Sequence, residues 1–126
     1  MSPKIILILG ALISGLGVMI GAFGAHGLKA VLAATNRADT FETAVKYQMY
    51  HALGLLLVGL LMAQFPAITG LKLTGICFLV GILIFSGSLY VLSLTGITWL
   101  GAITPIGGLF FIIGWVNLVW VLAKNL

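Results

Sequence analysis

The chain reads as four long apolar blocks with short polar connections between them, and the blocks predict four helices. Over residues 5–25 every position is apolar or glycine except Ser14. That length suits a hydrocarbon core that one helix crosses in about 20 residues. A basic start at Lys4 and the small sequence Ala22-Phe23-Gly24 would also fit a cleaved leader. The apolar run exceeds the roughly 7 to 15 residues of a leader core, and more membrane sequence follows, so the segment is expected to stay as a span.

Between His26 and Asp39 the pattern changes. Leu28, Val31 and Leu32 fall at i, i+3 and i+4 away from Lys29, which predicts a short amphipathic helix on the membrane surface. Thr35-Asn36-Arg37-Ala38 predicts a turn. Asp39-Thr40-Phe41-Glu42 then has the spacing of a capping box, so a second helix should start near Thr40. The uninterrupted apolar run of that helix, residues 52–63, is too short to cross alone. It becomes long enough when Tyr47, Gln48 and His51 are included, and polar groups there are tolerable where they face protein. Pro66 and Gly70 close the helix and Lys72 marks the interface. A third span follows, containing Cys77, Ser86, Ser88 and Tyr90. After a tight link at Thr95-Gly96-Ile97-Thr98, a fourth begins at Trp99, is interrupted by Thr104-Pro105 and Gly107-Gly108, and ends at Lys124. The expected architecture is all-α: a single transmembrane domain over residues 1–126, built as an integral membrane four-helix bundle. Its spans lie near 5–25, 44–65, 73–94 and 99–123, with a short amphipathic surface helix between helices one and two.

Composition turns this pattern into an exclusion. Of 126 residues, 62% are hydrophobic and 6% charged, against roughly 45 to 50% and 25% in soluble domains. Six basic and two acidic side chains cannot form a polar shell, so the lipid bilayer is the expected partner. The net charge of +4 does not mark a nucleic-acid surface, because Lys4, Lys29, Arg37, Lys46, Lys72 and Lys124 are spread singly, as membrane-end anchors are. Four spans put both termini on one side, with Lys4, Lys72 and Lys124. Lys29, Arg37 and Lys46 fall on the other, so the basic count that orients such chains is tied. Cys77 is the only cysteine, which excludes an internal disulfide, and no cofactor is expected.

The candidate chemistry lies in the polar groups inside the spans. Tyr47, Gln48 and His51 share one stripe of helix two. Counted at 1.5 Å per residue from the predicted span ends, His51, Ser88 and Thr104 should lie at a similar depth, roughly 10 Å below the long-loop surface. Pro105 cannot donate to the Gly101 carbonyl, which leaves an acceptor for Ser86, Ser88 or Tyr90. His26 and Glu42 flank the entrance. Two accounts compete: these groups satisfy one another as interhelical glue, or they line a small polar pocket open toward the long loop. A metal site is not expected, since it needs three or four converging ligands and the two histidines differ in depth by roughly 10 Å. Gly17, Gly21, Gly24 and Ala25, and on the fourth helix Gly101, Gly107, Gly108 and Gly114, predict close backbone packing. Trp99, Trp115 and Trp120 read as interface anchors or lipid-facing bulk.

The run Gly21-Ala22-Phe23-Gly24-Ala25-His26-Gly27-Leu28 resembles the YgdD/YwdK family of small integral membrane proteins, a family of unknown function with transmembrane relatives in animals. The resemblance continues through Phe41, Thr43-Ala44, Tyr47-Gln48 and Tyr50-His51-Ala52. It resumes at Phe85-Ser86-Gly87-Ser88-Leu89-Tyr90, Leu94-Thr95-Gly96 and Thr104-Pro105-Ile106-Gly107-Gly108, and so covers nearly the whole chain. It implies a multi-pass helical protein of the bacterial inner membrane type. The family brings no activity, so no residue inherits a catalytic role. The leading expectation is a non-enzymatic, homo-oligomeric membrane component whose polar layer around His51 is structural or holds a small ligand or lipid head group. The alternative is a small transporter or channel with its pathway around His51. Proton-coupled cation export is weakened because Asp39 and Glu42 both lie at the helix-two entrance and no span carries a carboxylate. A third class, an enzyme or a metal or haem protein, would have to use His26 and His51.

Overall fold

A computed structural model describes residues 1–126, all helical and without strands. In chain order the helices are α1 (Pro3–His26), α2 (Lys29–Thr35), α3 (Ala38–Gln64), α4 (Leu71–Gly81), α5 (Gly87–Thr95) and α6 (Thr104–Asn125). α4 and α5 form one column joined by a π-helical turn, Ile82–Ser86, and a 3-10 turn, Thr98–Ala102, precedes α6. Four helical columns, Pro3–His26, Ala38–Gln64, Leu71–Thr95 and Thr98–Asn125, are long and apolar enough to cross a membrane.

The helix ends follow from local chemistry. α1 opens with Ser2, whose hydroxyl accepts the Ile5 N–H at 3.3 Å, and with Pro3 in its first turn. Asn36 closes α2 in the left-handed conformation, as the predicted turn requires. The expected capping box does not form. α3 starts earlier, at Ala38, with Arg37 at the cap and no side-chain cap bond; Asp39 lies inside the first turn, where its charge meets the positive end of the helix dipole. Pro105 is also placed differently from the sequence expectation. It stands in the first turn of α6, where a missing N–H costs no helical bond, so it starts a helix and does not interrupt one.

α3 is the central column, with α1 on one side and α4 and α5 on the other, and α6 packs on α4. Gly10, Gly17 and Gly24, spaced seven apart, bring α1 onto α3. A Cβ on Gly10 would lie 3.0 Å from the Leu56 nitrogen and 3.1 Å from the Ala52 oxygen. Phe78, Leu55, Val58 and Phe111 belong to the core between α3, α4 and α6. The outer face of α1, with Leu12, Val18, Met19 and Phe23, stays exposed.

The two ends of the bundle differ. At one, Asn117 donates to the Gly70 carbonyl at 2.9 Å and to Thr74 Oγ1 at 2.8 Å. The Met1 amino group lies beside Lys72, whose hydrogen bond, with some desolvation and charge repulsion, holds its pKa below the usual value. At the other, α2 leans on the bundle: the Thr35 hydroxyl donates to the Ser93 carbonyl at 2.7 Å. Of its expected apolar face only Leu32 is buried, while Val31 points outward, because this tether fixes the roll of a seven-residue helix.

Candidate functional site

His51 stands on the side of α3 that faces α6 and is 4% exposed. Its Nδ1 is 2.8 Å from the Tyr47 carbonyl oxygen, and the Trp115 indole N–H donates to its Nε2 at 3.0 Å. A carbonyl can only accept and an indole N–H can only donate, so the hydrogen sits on Nδ1 and both nitrogens of a neutral ring are engaged. Phe111 stacks on the imidazole, with centroids 3.5 Å apart and planes inclined by 9°, and Phe78 meets it edge-on at 5.2 Å. Phe111 and Trp115 are i, i+4 on α6, which is why one helix supplies both the stack and the donor. Beside this stack an open cleft of about 580 Å³ is lined by Tyr47, Tyr50, His51, Phe85, Gly108, Phe111, Ile112 and Trp115. Aromatic rings form most of its wall.

The remaining polar groups pair locally. Gln48 donates through Nε2 to the Ile13 carbonyl at 3.0 Å and accepts the Tyr90 hydroxyl on Oε1. Ser86 donates to the Ala44 carbonyl at 2.8 Å, and the Ser88 and Thr104 hydroxyls lie 2.6 Å apart. No buried side-chain nitrogen or oxygen is left without a partner, and no three metal-binding side chains converge.

The nine sequence candidates therefore divide. Tyr47 and His51 share the cleft; Gln48 and Tyr90 form one pair; Ser88 and Thr104 form another; Ser86 binds backbone. His26 is exposed at the end of α1. Glu42 lines a separate groove with Lys46 and Gly24. The single layer expected from depth counting is not what these contacts describe. Thr104 precedes Phe111 by seven positions on α6, about 10 Å along the axis, so the Ser88–Thr104 pair lies that much nearer the long-loop end than the His51 stack. The counting started α6 at Trp99, whereas residues 98–102 are a 3-10 turn. None of Ser86, Ser88 and Tyr90 donates to the Gly101 carbonyl.

Two features lie outside the sequence expectations. Trp115, expected at lipid or interface, is the donor to His51, and an indole N–H is a donor that an apolar helix can carry. The signal was the buried row Gly107, Phe111, Gly114, Leu118 and Val121, which sets the inward face of α6 and puts Trp115 at its edge. The π-helical turn left no comparable signal beyond its flanking Gly81 and Gly87.

Comparison with known proteins places this arrangement in a family. Residues 20–108 match the family model described as "Protein of unknown function (DUF423)". Over 90 residues the chain is 46% identical to the UPF0382 membrane protein YwdK of Bacillus subtilis (strain 168), covering 71% of this chain and 72% of the relative. A UPF0382 membrane protein of Staphylococcus haemolyticus is 47% identical over 90 residues, 71% of each chain. One of Staphylococcus saprophyticus is 48% identical over 92 residues, 71% of this chain and 72% of the relative. No solved structure matches the chain significantly. With a matching family model over most of its length and relatives this similar, the chain belongs to the DUF423 family of membrane proteins of unknown function.

Proposed function

We propose that the protein is a non-enzymatic, multi-pass component of a bacterial inner membrane, assembled as a homo-oligomer, that holds an apolar membrane-soluble ligand in the cleft beside His51. The observation that carries this reading is the engagement of both His51 nitrogens by protein partners on the wall of an aromatic cleft. A proton carrier or metal ligand needs a free nitrogen, whereas a wall-forming residue needs its ring held still. Tyr47 and Tyr50, both exposed and lining the cleft, bring hydroxyl groups for an amphiphilic end of such a ligand.

The test is ligand capture. Full-length protein in lipid nanodiscs is expected to bind a fluorescent apolar probe that quenches or accepts energy from Trp115, saturably and with displacement by the native ligand in a lipid extract. Ile112→Trp, which narrows the cleft, should weaken probe binding about tenfold, the equivalent of roughly 1.4 kcal/mol. Non-saturable partitioning would overturn the binding reading, and solute flux in liposomes that depends on His51 would replace it with a small transporter.

A further inference from the structure

A second groove lies where α1, α2 and α3 meet. At 100° per residue its α3 lining, Phe41, Glu42, Val45 and Lys46, is on the opposite side of that helix from Tyr47, Tyr50 and His51. It is lined by the buried Gly24, Leu32 and Phe41, by the half-buried Gly21, and by the exposed Glu42 and Lys46. The space is about 410 Å³, about fourteen groups the size of a water molecule at roughly 30 Å³ each. That suits a polar head and its glycerol link but not two acyl chains.

Depth identifies the occupant. α3 begins at Ala38, so Glu42 and Lys46 lie roughly 6 and 12 Å down the helix, on either side of residue 44 where the expected span begins. The acid is the outer group and the base the inner one. A phospholipid head has the same order, with phosphate against the glycerol and any ammonium beyond it. Side chains at i, i+4 are about 5 to 6 Å apart, the scale of a two-carbon link between phosphate and ammonium. Glu42 is one of only two acidic side chains in the chain, and a head group carrying only negative charge would meet repulsion there. A trimethylammonium head offers no N–H to the carboxylate, whereas a primary ammonium offers three.

We propose that this groove binds a phospholipid of the phosphatidylethanolamine class, with its phosphate on Lys46, its ammonium on Glu42 and its acyl chains running down the exposed face of α1.

The measurement is native mass spectrometry of the full-length protein released from nanodiscs with equal mole fractions of phosphatidylethanolamine, phosphatidylcholine and phosphatidylglycerol. Wild type should retain the ethanolamine lipid about fivefold over the other two, the scale of one partly exposed ion pair. Glu42→Gln should reduce that lipid to the level of phosphatidylcholine, and Lys46→Gln should lower retention of all three. Lys124→Gln, at the other end of the bundle, should change nothing. Stepwise N-methylation of the head group should lower retention by wild type itself, which keeps the proposal testable if a variant misfolds. Equal retention of the three lipids, preference for phosphatidylglycerol, or a preference that survives Glu42→Gln would each overturn it. So would a dimer that excludes lipid and dissociates on Lys46→Gln, which would give the groove to a second copy.

Discussion

Gln48 and His51 are one turn apart on α3, yet the bundle treats them differently. Gln48 is enclosed: its amide reaches the α1 backbone at Ile13 and the Tyr90 hydroxyl on α5, while the neighbouring Gly17 leaves room for Met49, whose sulfur would collide with a Cβ there. His51 is held by its own helix and by one indole, and it borders an open cleft. In a bilayer a polar side chain must find partners within the protein. Gln48 finds them on two neighbouring helices and so ties three columns together. His51 finds them at minimal cost in contacts, which keeps space beside it. Gln48 belongs to the scaffold; His51 belongs to a wall.

The largest expected effect tests what holds that wall. Gly107 brings the α6 backbone against the π-helical turn, and a Cβ there would collide with the Phe85 backbone. Because backbone cannot yield as a flexible side-chain end can, Gly107→Val should destabilise the bundle by about 3 kcal/mol or more. It should do so by displacing α6, so the accessibility of Cys77, which packs against Gly114, should rise before that of a cysteine placed on the α1 side by Ile13→Cys. A uniform loss on both sides would erase the distinction between scaffold and wall.

Next comes Gln48→Leu. It leaves the Tyr90 hydroxyl and the Ile13 carbonyl without their partner, at a cost of about 2 to 3 kcal/mol. Adding Tyr90→Phe should return part of that loss, because removing both partners of a buried bond is far less costly than orphaning one. Chemical denaturation in detergent measures both variants. A double variant weaker than Gln48→Leu alone would show that the pair does not carry the coupling.

His51→Leu should cost less, about 1 to 2 kcal/mol, made up of the lost bond to Trp115 and the lost stack on Phe111. The ranking by binding should be the reverse: the His51 variant should lose probe affinity while Gln48→Leu, where it folds, retains it.

The contrast between these two residues also marks where sequence reading succeeded. Hydropathy located the membrane helices because transfer to lipid is decided by long stretches of side chains, and the short helix before α3 was legible from the i, i+3 and i+4 spacing of Leu28, Val31 and Leu32. The stripe of Tyr47, Gln48 and His51 was visible from i, i+3 and i+4 spacing. Partner choice was not, because it depends on rotations between helices that a few irregular residues control. The π-helical turn shifts the face that Ser86, Ser88 and Tyr90 present, and the 3-10 turn at Thr98–Ala102 delays α6. Each changes the register by a fraction of a turn, which leaves composition and periodicity almost unaltered while it redirects every hydroxyl beyond it.

The smallest expected effect on stability is also the most discriminating for function. Ile112 lines the cleft from α6 and is 60% exposed, so its side chain supports little of the core. Replacement by alanine should change stability by no more than about 0.5 kcal/mol, because no buried cavity is created. The cleft would widen at its mouth, and an apolar ligand would lose a contact equivalent to two or three methylene groups at roughly 0.8 kcal/mol each. Ile112→Ala should therefore leave the melting curve unchanged and lower probe affinity by about tenfold or more. If Ile112→Ala instead melts early, the rim of the cleft is part of the scaffold, and the division between Gln48 and His51 is one of degree.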